Sequence, residues 1–228
     1  MRIKLHTLFL FFITTILTVS SLYAQYDYQD YYNKEISKDL KSHFRSNEKV
    51  NELHFDSLLL DALIFSLTNE ERLSHNMSEL KFYNPLYSSA NLHSFLMIKH
   101  DFFNHINKKN KKWKTPSDRV LYFDDSYFTL AENILENNIL AHQGDVLKYR
   151  IDYLEDSSIV YKDLNGQCIE NLSYIDLAKR LVSQWMNSPP HRANILNDSF
   201  THFACACSIN IDRQPILIRC TQNFGGLR

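Results

Sequence analysis

The segment around His191 carries the side chain in this sequence that is best placed to bind a ligand or transfer a proton. Apolar side chains recur every four residues before it, at Leu177, Leu181 and Trp185. This stripe predicts an amphipathic helix that Ser173 can cap. Pro189 and Pro190 end that helix because neither donates a backbone hydrogen bond and each disfavours helical geometry in the residue before it. We therefore expect His191, followed by Arg192, just past a packed helix end, where an imidazole is held rigidly.

Ser188 precedes His191 by three residues, so the segment also allows nucleophilic catalysis. A serine, an imidazole and a carboxylate such as Glu132 are the parts of a hydrolytic triad. However, the sequence has no Gly-x-Ser-x-Gly elbow, and the two prolines remove backbone donors where an oxyanion hole would be convenient. The simpler interpretation is that Ser188 ends its helix.

Four stretches of the chain carry a family resemblance. Residues 185–196 read Trp-Met-Asn-Ser-Pro-Pro-His-Arg-Ala-Asn-Ile-Leu. Residues 68–72 read Thr-Asn-Glu-Glu-Arg, residues 102–105 Phe-Phe-Asn-His, and residues 221–225 Thr-Gln-Asn-Phe-Gly. In content and order they resemble the motifs of bacterial CAP (SCP-like) domains, the superfamily of cysteine-rich secretory proteins, antigen 5 and pathogenesis-related 1 proteins. The resemblance covers residues 58–228.

The resemblance implies a cleft lined by two histidines and one or two acids. The first histidine of the family corresponds to His105, the acid of its usual Gly-Glu-Asn motif to Glu132, and the second histidine to His191. Ala131 stands where the family usually has glycine. The second acid of eukaryotic members falls near Ser188, so that carboxylate is absent here.

Two imidazoles beside a carboxylate have well-defined chemistry. The imidazoles bind a divalent metal ion or transfer protons near neutral pH, while the carboxylate fixes a tautomer and raises the proton affinity of its histidine. Two histidines fall short of the four ligands of a structural zinc site. We therefore expect at most an open site for a metal such as zinc at His105 and His191, completed by water or by Glu132.

The first 24 residues are typical of a secretory signal peptide. Arg2 and Lys4 precede a mostly apolar run at residues 8–19, and small residues lead to Ala24. At about 1.5 Å per residue this run is too short to span a hydrocarbon core of about 30 Å as a helix. We expect cleavage and no stable membrane span afterwards. An uncleaved anchor is the alternative, since Leu22 is large for a cleavage site.

The charge balance argues against nucleic acid as a partner. The chain has 25 Lys+Arg and 26 Asp+Glu, a net charge of −1, and loss of residues 1–24 makes it −3. Such a balance gives no general attraction to nucleic acid or anionic lipid. One basic cluster is read as a solvated loop, with a local anionic partner as the alternative: Lys108, Lys109, Lys111, Lys112 and Lys114.

The cysteines predict one disulfide if the chain enters an oxidising compartment. There are four of them: Cys168, Cys205, Cys207 and Cys220. Two alternating segments flank a turn-like tetrad at residues 212–215. If Ile211 faces Ile216 across this turn, the antiparallel register places Cys207 opposite Cys220. The alternative is that all four are small thiols on packed faces.

The chain divides into three parts. Residues 1–24 are the signal peptide, residues 25–55 a polar, Tyr-rich spacer, and residues 56–228 one domain. Four helices are predicted from their caps, starting near Asp56 or Ser57, at Asn84-Pro85, at Thr115-Pro116 and at Ser173.

Residues 136–172 form an expected insertion in this domain. Strands at residues 149–154 and 159–164, with a tight turn at Asn165-Gly166, predict a β-excursion there. Helices followed by a closing hairpin indicate an α+β fold. The resemblance implies a three-layer α-β-α sandwich with a small antiparallel sheet between helices.

These observations favour a secreted or cell-envelope binding module without catalytic activity. Its cleft would take a small apolar ligand, a divalent metal or an extracellular protein, and the resemblance points to lipid or sterol. The alternative is a hydrolase, metal-assisted or dependent on His and Glu, that resembles a peptidase in its chemistry.

Overall fold

The computed structural model describes residues 40–141, 149–154 and 159–227. The predicted signal peptide, the first part of the spacer at residues 25–39 and two stretches of the predicted insertion lie outside the described residues. Within the described ranges, no helix is long and apolar enough to cross a membrane.

Five α-helices are described, and four of them begin where the sequence predicts. They are α1 Ser57–Ser74, α2 Asn84–Lys99, α3 Pro116–Phe123, α4 Tyr174–Asn187 and α5 Pro189–Ile195. The side chains of Asp56, Thr115 and Ser173 cap α1, α3 and α4. Asn84, predicted as a cap, instead lies inside α2, where Tyr83 is the capping residue and makes no side-chain cap bond.

The short helix α5 is absent from the sequence prediction. Pro189 and Pro190 end α4 as expected, but they also occupy the first turn of α5. Proline is compatible with that position because the first backbone N–H groups of a helix have no intrahelical acceptor. His191 therefore lies within a second helix rather than in a loop.

The central sheet has four strands in the order β1-β6-β7-β2. They are β1 Lys81–Phe82, β2 Tyr127–Asn138, β6 His202–Asn210 and β7 Leu217–Leu227, and β7 is antiparallel to both of its neighbours. Helices α2 and α3 contact one face, while α1, α4 and α5 lie on the other. The predicted α-β-α sandwich is confirmed, and its sheet departs from the predicted antiparallel arrangement only at β1, which pairs with β6 in parallel.

The closing hairpin has the predicted register. Cys207 lies opposite Cys220 in the β6–β7 pair, and the two form a disulfide. Cys205 is a buried free thiol and Cys168 an exposed one. The prediction of this single pair is confirmed.

The described part of the predicted spacer packs on the domain. Leu40 and Val50 are 1% and 2% exposed and belong to the main core. The backbone N–H of Val50 donates to Leu172 O, and the N–H of Tyr174 donates to Glu48 O. Residues 40–55 therefore lie along the start of α4.

The predicted insertion contains a separate three-stranded sheet. Its strands are β3 Arg150–Tyr153, β4 Ile159–Lys162 and β5 Cys168–Ile169, in that order. Gly166 has a φ of +83°, as the Asn-Gly turn signal predicts. The Tyr149 hydroxyl donates to Gln214 O, in the connection between β6 and β7. The small sheet therefore lies at the end of the central sheet where that connection is.

Candidate functional site

Glu132 lies on β2, the edge strand of the central sheet, opposite Asn223 of β7. Its side chain is 1% exposed. Ala131, which replaces the family's usual glycine, pairs with Phe224 in the same ladder. The described non-glycine residues with positive φ do not include Ala131, so its backbone needs no glycine.

Both carboxylate oxygens of Glu132 are occupied. Arg119 Nη2 donates to Oε2 at 2.7 Å, and His105 Nδ1 is 2.9 Å from Oε1. Arg119 has a fully buried side chain, whereas the His105 side chain is 45% exposed. A buried carboxylate therefore fixes the orientation of an imidazole whose other nitrogen is not used by this contact.

Glu132 is held in its charged form. Burial alone would raise the pKa of its carboxyl, but the hydrogen bond from His105 and the guanidinium of Arg119 bring that pKa below its ordinary value. A second imidazole, His93 of α2, is fully buried with its Nε2 3.8 Å from Oε1. Burial lowers the pKa of His93 to about 4, so this ring is neutral at physiological pH.

Arg119 connects the site to the segment before α3. Its Nη2 also donates to His105 O, and its Nη1 donates to the carbonyls of Trp113 and Lys114. Sequence reasoning missed this residue because an arginine on a short amphipathic helix ordinarily points to solvent. The burial of Arg119 becomes evident only when the structure shows that β2 places a buried acid beneath α3.

His191 approaches from the other side of β2. Neighbouring residues on a strand face opposite sides of the sheet, so Asn133 points away from the side of Glu132. The Asn133 amide donates to His191 O at 3.1 Å and accepts from Asn194 Nδ2 at 2.7 Å. These bonds fix α5 against the strand. Burial and the charge of His105 both lower the pKa of His191.

Two of the three predicted residues, His105 and Glu132, are in direct contact on the edge strand β2. The third, His191, is attached to the same strand through its backbone, whose carbonyl accepts from Asn133, the residue after Glu132. We call this group, His105, Glu132 and His191, the edge site.

The motif at residues 68–72 lies on α1 and holds α5, the helix of His191, in place. Arg72 Nη1 donates to the carbonyls of Ile195 and Asn197, at the end of α5. Asn69 exchanges two hydrogen bonds with the backbone of Leu80, at 3.0 and 2.9 Å. Both side chains are buried, and they hold α5 and the start of β1 against α1.

Ser188, the serine of the alternative triad, lies at the junction of two helices. It lies between α4 and α5, and its side chain makes no capping hydrogen bond to α5. Among the described residues, no hydrogen bond joins its hydroxyl to His191 or Glu132.

The edge site does not gather three metal ligands. In the described part of the chain, the single group with three ligand atoms all within 4.8 Å of one another is Asp61, Cys205 and Cys207. Cys207 is already in a disulfide. At the edge site both oxygens of Glu132 and Nδ1 of His105 are engaged. The donor set therefore fits no closed metal site, and a metal there would rely on two imidazoles and outside ligands.

The fold defines an α-β-α domain of the CAP type. Residues 65–224 match the cysteine-rich secretory protein family (CAP), and the chain belongs to that family.

Three known proteins show how far this similarity extends. The chain is 24% identical to the uncharacterized membrane protein YlbC of Bacillus subtilis over 179 residues, 78% of this chain and 37% of that protein. It is 27% identical to the uncharacterized protein YkwD of the same species over 139 residues, 61% of this chain and 38% of that protein. The chain thus spans little more than a third of these relatives.

The third is a solved structure, an outer surface protein from Borrelia burgdorferi, which has the same fold. The TM-score is 0.52 at 16% sequence identity, covering 80% of this chain and 99% of that chain. At this identity the likeness concerns the fold.

Proposed function

We propose that this protein is an exported binding module whose edge site holds a small apolar ligand, or a group of a partner protein, without transforming it. The observation that carries the proposal is the complete use of Glu132 by Arg119 and His105. The carboxylate fixes an imidazole instead of acting on a bound molecule. No hydroxyl or thiol of the described residues hydrogen bonds to the ring of His105 or His191 as a nucleophile would.

The geometry also favours a ligand that carries a hydrogen-bond donor. In the neutral tautomer that donates Nδ1–H to the Glu132 carboxylate, the Nε2 of His105 is a hydrogen-bond acceptor. An acceptor at the surface of a half-exposed ring suits a ligand that offers one hydroxyl or N–H group. A sterol or another apolar molecule with a single donor meets this requirement.

Ligand titrations of three single variants test the proposal. Cholesterol, palmitate and zinc chloride serve as probes by calorimetry or intrinsic fluorescence, with wild type compared against His105→Gln, His191→Gln and His54→Gln. His54 is exposed and belongs to the segment that packs along the start of α4, outside the edge site, so its variant is the matched control. We expect one apolar probe to bind wild type and His54→Gln and to lose at least about tenfold in affinity in the two site variants.

A hydrolase remains the second candidate because an imidazole oriented by a carboxylate is also the geometry of a general base. Broad peptide and ester panels separate the two. Turnover by wild type that His105→Gln abolishes would overturn the binding-module proposal. Identical zinc titrations for wild type and a His105→Gln/His191→Gln double variant would remove the metal from consideration.

Export itself is part of the proposal and rests on residues 1–24. Expression in a bacterial host followed by mass spectrometry of the exported protein should give an N-terminus at Gln25. A protein retained inside the cell with Met1 intact would refute export.

A further inference from the structure

A cluster of exposed aromatic and aliphatic side chains lies at the end of α3. Leu121, Tyr122 and Phe123 are 47%, 51% and 39% exposed. The ring of Trp113 packs edge-on against Tyr122 with centroids 5.9 Å apart, and Tyr122 packs against Phe123 at 5.0 Å. The apolar surface here is contiguous, unlike the single exposed leucines found on most proteins.

Five exposed lysines lie in the segment around Trp113: Lys108, Lys109, Lys111, Lys112 and Lys114. One of them, Lys109, donates to His100 O. Lys112 Nζ lies 4.0 Å from the centroid of Tyr122 and 5.4 Å from that of Trp113, so the charges and the rings form one surface. The whole chain has a net charge of −1. The positive charge is therefore a local feature and not a consequence of composition.

Three acids lie in or next to this surface. Asp118 accepts from the backbone of Thr115 in the capping box of α3, and Asp124 accepts from Ser126 and the Tyr83 hydroxyl. Asp125 is exposed, so five lysines stand against three acids between positions 102 and 125. We call the surface formed by residues 108–114 and 121–123 the aromatic–lysine patch.

The backbone that presents the lysines is held in one shape. The Asn107 N–H donates to Lys114 O and closes the segment. The side chains of Asn107 and Asn110 accept from the N–H groups of Lys109 and Lys112. Ordering of this segment therefore costs little when a partner binds.

We propose that the aromatic–lysine patch docks the domain on the surface of an anionic lipid bilayer. Lysines attract the anionic headgroups, and aromatic rings of mixed polarity insert at the level of the headgroups. A free phosphate or a soluble polyanion would use the lysines alone and would leave the apolar rings in water. The combination of both on one preformed surface is what selects the bilayer.

Docking would also place the edge site near the lipid. Arg119 donates to the carbonyls of Trp113 and Lys114 in the patch and to Glu132 in the site. This inference is independent of the proposed function, since the patch contains no residue of the edge site.

Vesicle co-sedimentation of the full chain tests the docking. Vesicles of phosphatidylglycerol mixed with phosphatidylcholine are compared with vesicles of phosphatidylcholine alone, and binding to the neutral vesicles measures the contribution of the apolar N-terminal segment. We expect stronger binding to the anionic vesicles that weakens as salt is added.

Two variants separate the charges from the rings. Lys108→Gln/Lys111→Gln should weaken binding about thirty-fold, because each lysine near an anionic surface contributes about a factor of five. Leu121→Ser/Phe123→Ser should weaken it about tenfold or more through lost apolar burial. Circular dichroism and thermal unfolding verify that both variants fold.

Matched variants elsewhere serve as controls. Lys49→Gln/Lys179→Gln removes two exposed lysines that pair with Glu170 and Asp176, and Leu164→Ser removes an exposed leucine of the insertion. Both should change binding by less than about threefold. Equal binding to neutral and anionic vesicles, or equal losses in patch and control variants, would overturn the proposal. Loss with the lysine variant alone, together with equally tight binding to soluble heparin, would show a polyanion site instead.

Discussion

Two buried carboxyl groups on opposite faces of the central sheet have pKa values shifted in opposite directions. Glu132 faces α2 and α3, contacts Arg119 and His105, and has a lowered pKa. Asp61 of α1 faces the other side, accepts from the Cys207 N–H and the Tyr87 hydroxyl, and has a pKa raised well above its ordinary value by burial.

The difference lies in the partner groups. A guanidinium compensates the charge of Glu132, whereas Asp61 has two hydrogen-bond donors and no cation in contact among the described residues. Burial therefore disfavours the charged form of Asp61, and its hydrogen bond from the Cys207 N–H joins α1 to β6. The charged carboxylate lies at the edge of the sheet, where an exposed imidazole can use it. Charge compensation distinguishes the candidate site from the core.

The largest effect should come from removing that compensation. Arg119→Met should lower the free energy of unfolding by about 3–5 kcal/mol, because it leaves a buried carboxylate unpaired. Asp61→Asn should cost about 1 kcal/mol or less, since it leaves no buried charge without its partner. Urea unfolding at neutral pH measures both. Equal losses in the two variants would abolish the distinction.

The disulfide beside Asp61 should make the next largest contribution. Cys207→Ala/Cys220→Ala should lower the free energy of unfolding by about 2–4 kcal/mol, because the bridge closes a loop across 13 positions. A thiol count on the denatured, unreduced protein should give two free thiols, Cys168 and Cys205. Four free thiols would contradict the pairing.

The two carboxyls should also respond to pH with opposite sign. The pKa of Glu132 is depressed on folding, so its stabilisation is present above the ordinary value of about 4.3 and is lost as the pH falls below it. The pKa of Asp61 is raised, so stability declines as the pH rises from about 3.9 through the folded value.

Unfolding midpoints measured across this range give the readout. Glu132→Gln should flatten the acid side of the stability curve, and Asp61→Asn the side above it. If both variants flattened the curve on the same side, the pKa values of Glu132 and Asp61 would not be shifted in opposite directions, and the comparison would be wrong.

Local signals in the sequence were enough for much of the fold. Capping residues such as Thr115 and Ser173 act within one helical turn, and the connection between β6 and β7 set the register that pairs Cys207 with Cys220. These features depend on neighbours a few residues away, so a pattern reveals them.

Strand β2 and the environment of Glu132 could not be predicted in this way. Buried polar residues interrupt the apolar alternation of β2, because Glu132 reaches Arg119 and Asn133 reaches α5. The two contacts span 13 and 58 positions, beyond the reach of a pattern within one helical turn or one strand. His105, Glu132 and His191 were identified from the resemblance to a family, while Arg119 and His93 emerged only from packing.

The convergence of the two imidazoles is the claim on which the binding site depends, and NMR titration of His191 tests it directly. Part of the lowering of the His191 pKa comes from His105, so the pKa of His191 should rise in His105→Gln and stay unchanged in His54→Gln. We expect a rise, because loss of the His105 imidazole removes a positive charge that disfavours protonation of His191. An identical His191 titration in wild type and His105→Gln would contradict a shared site.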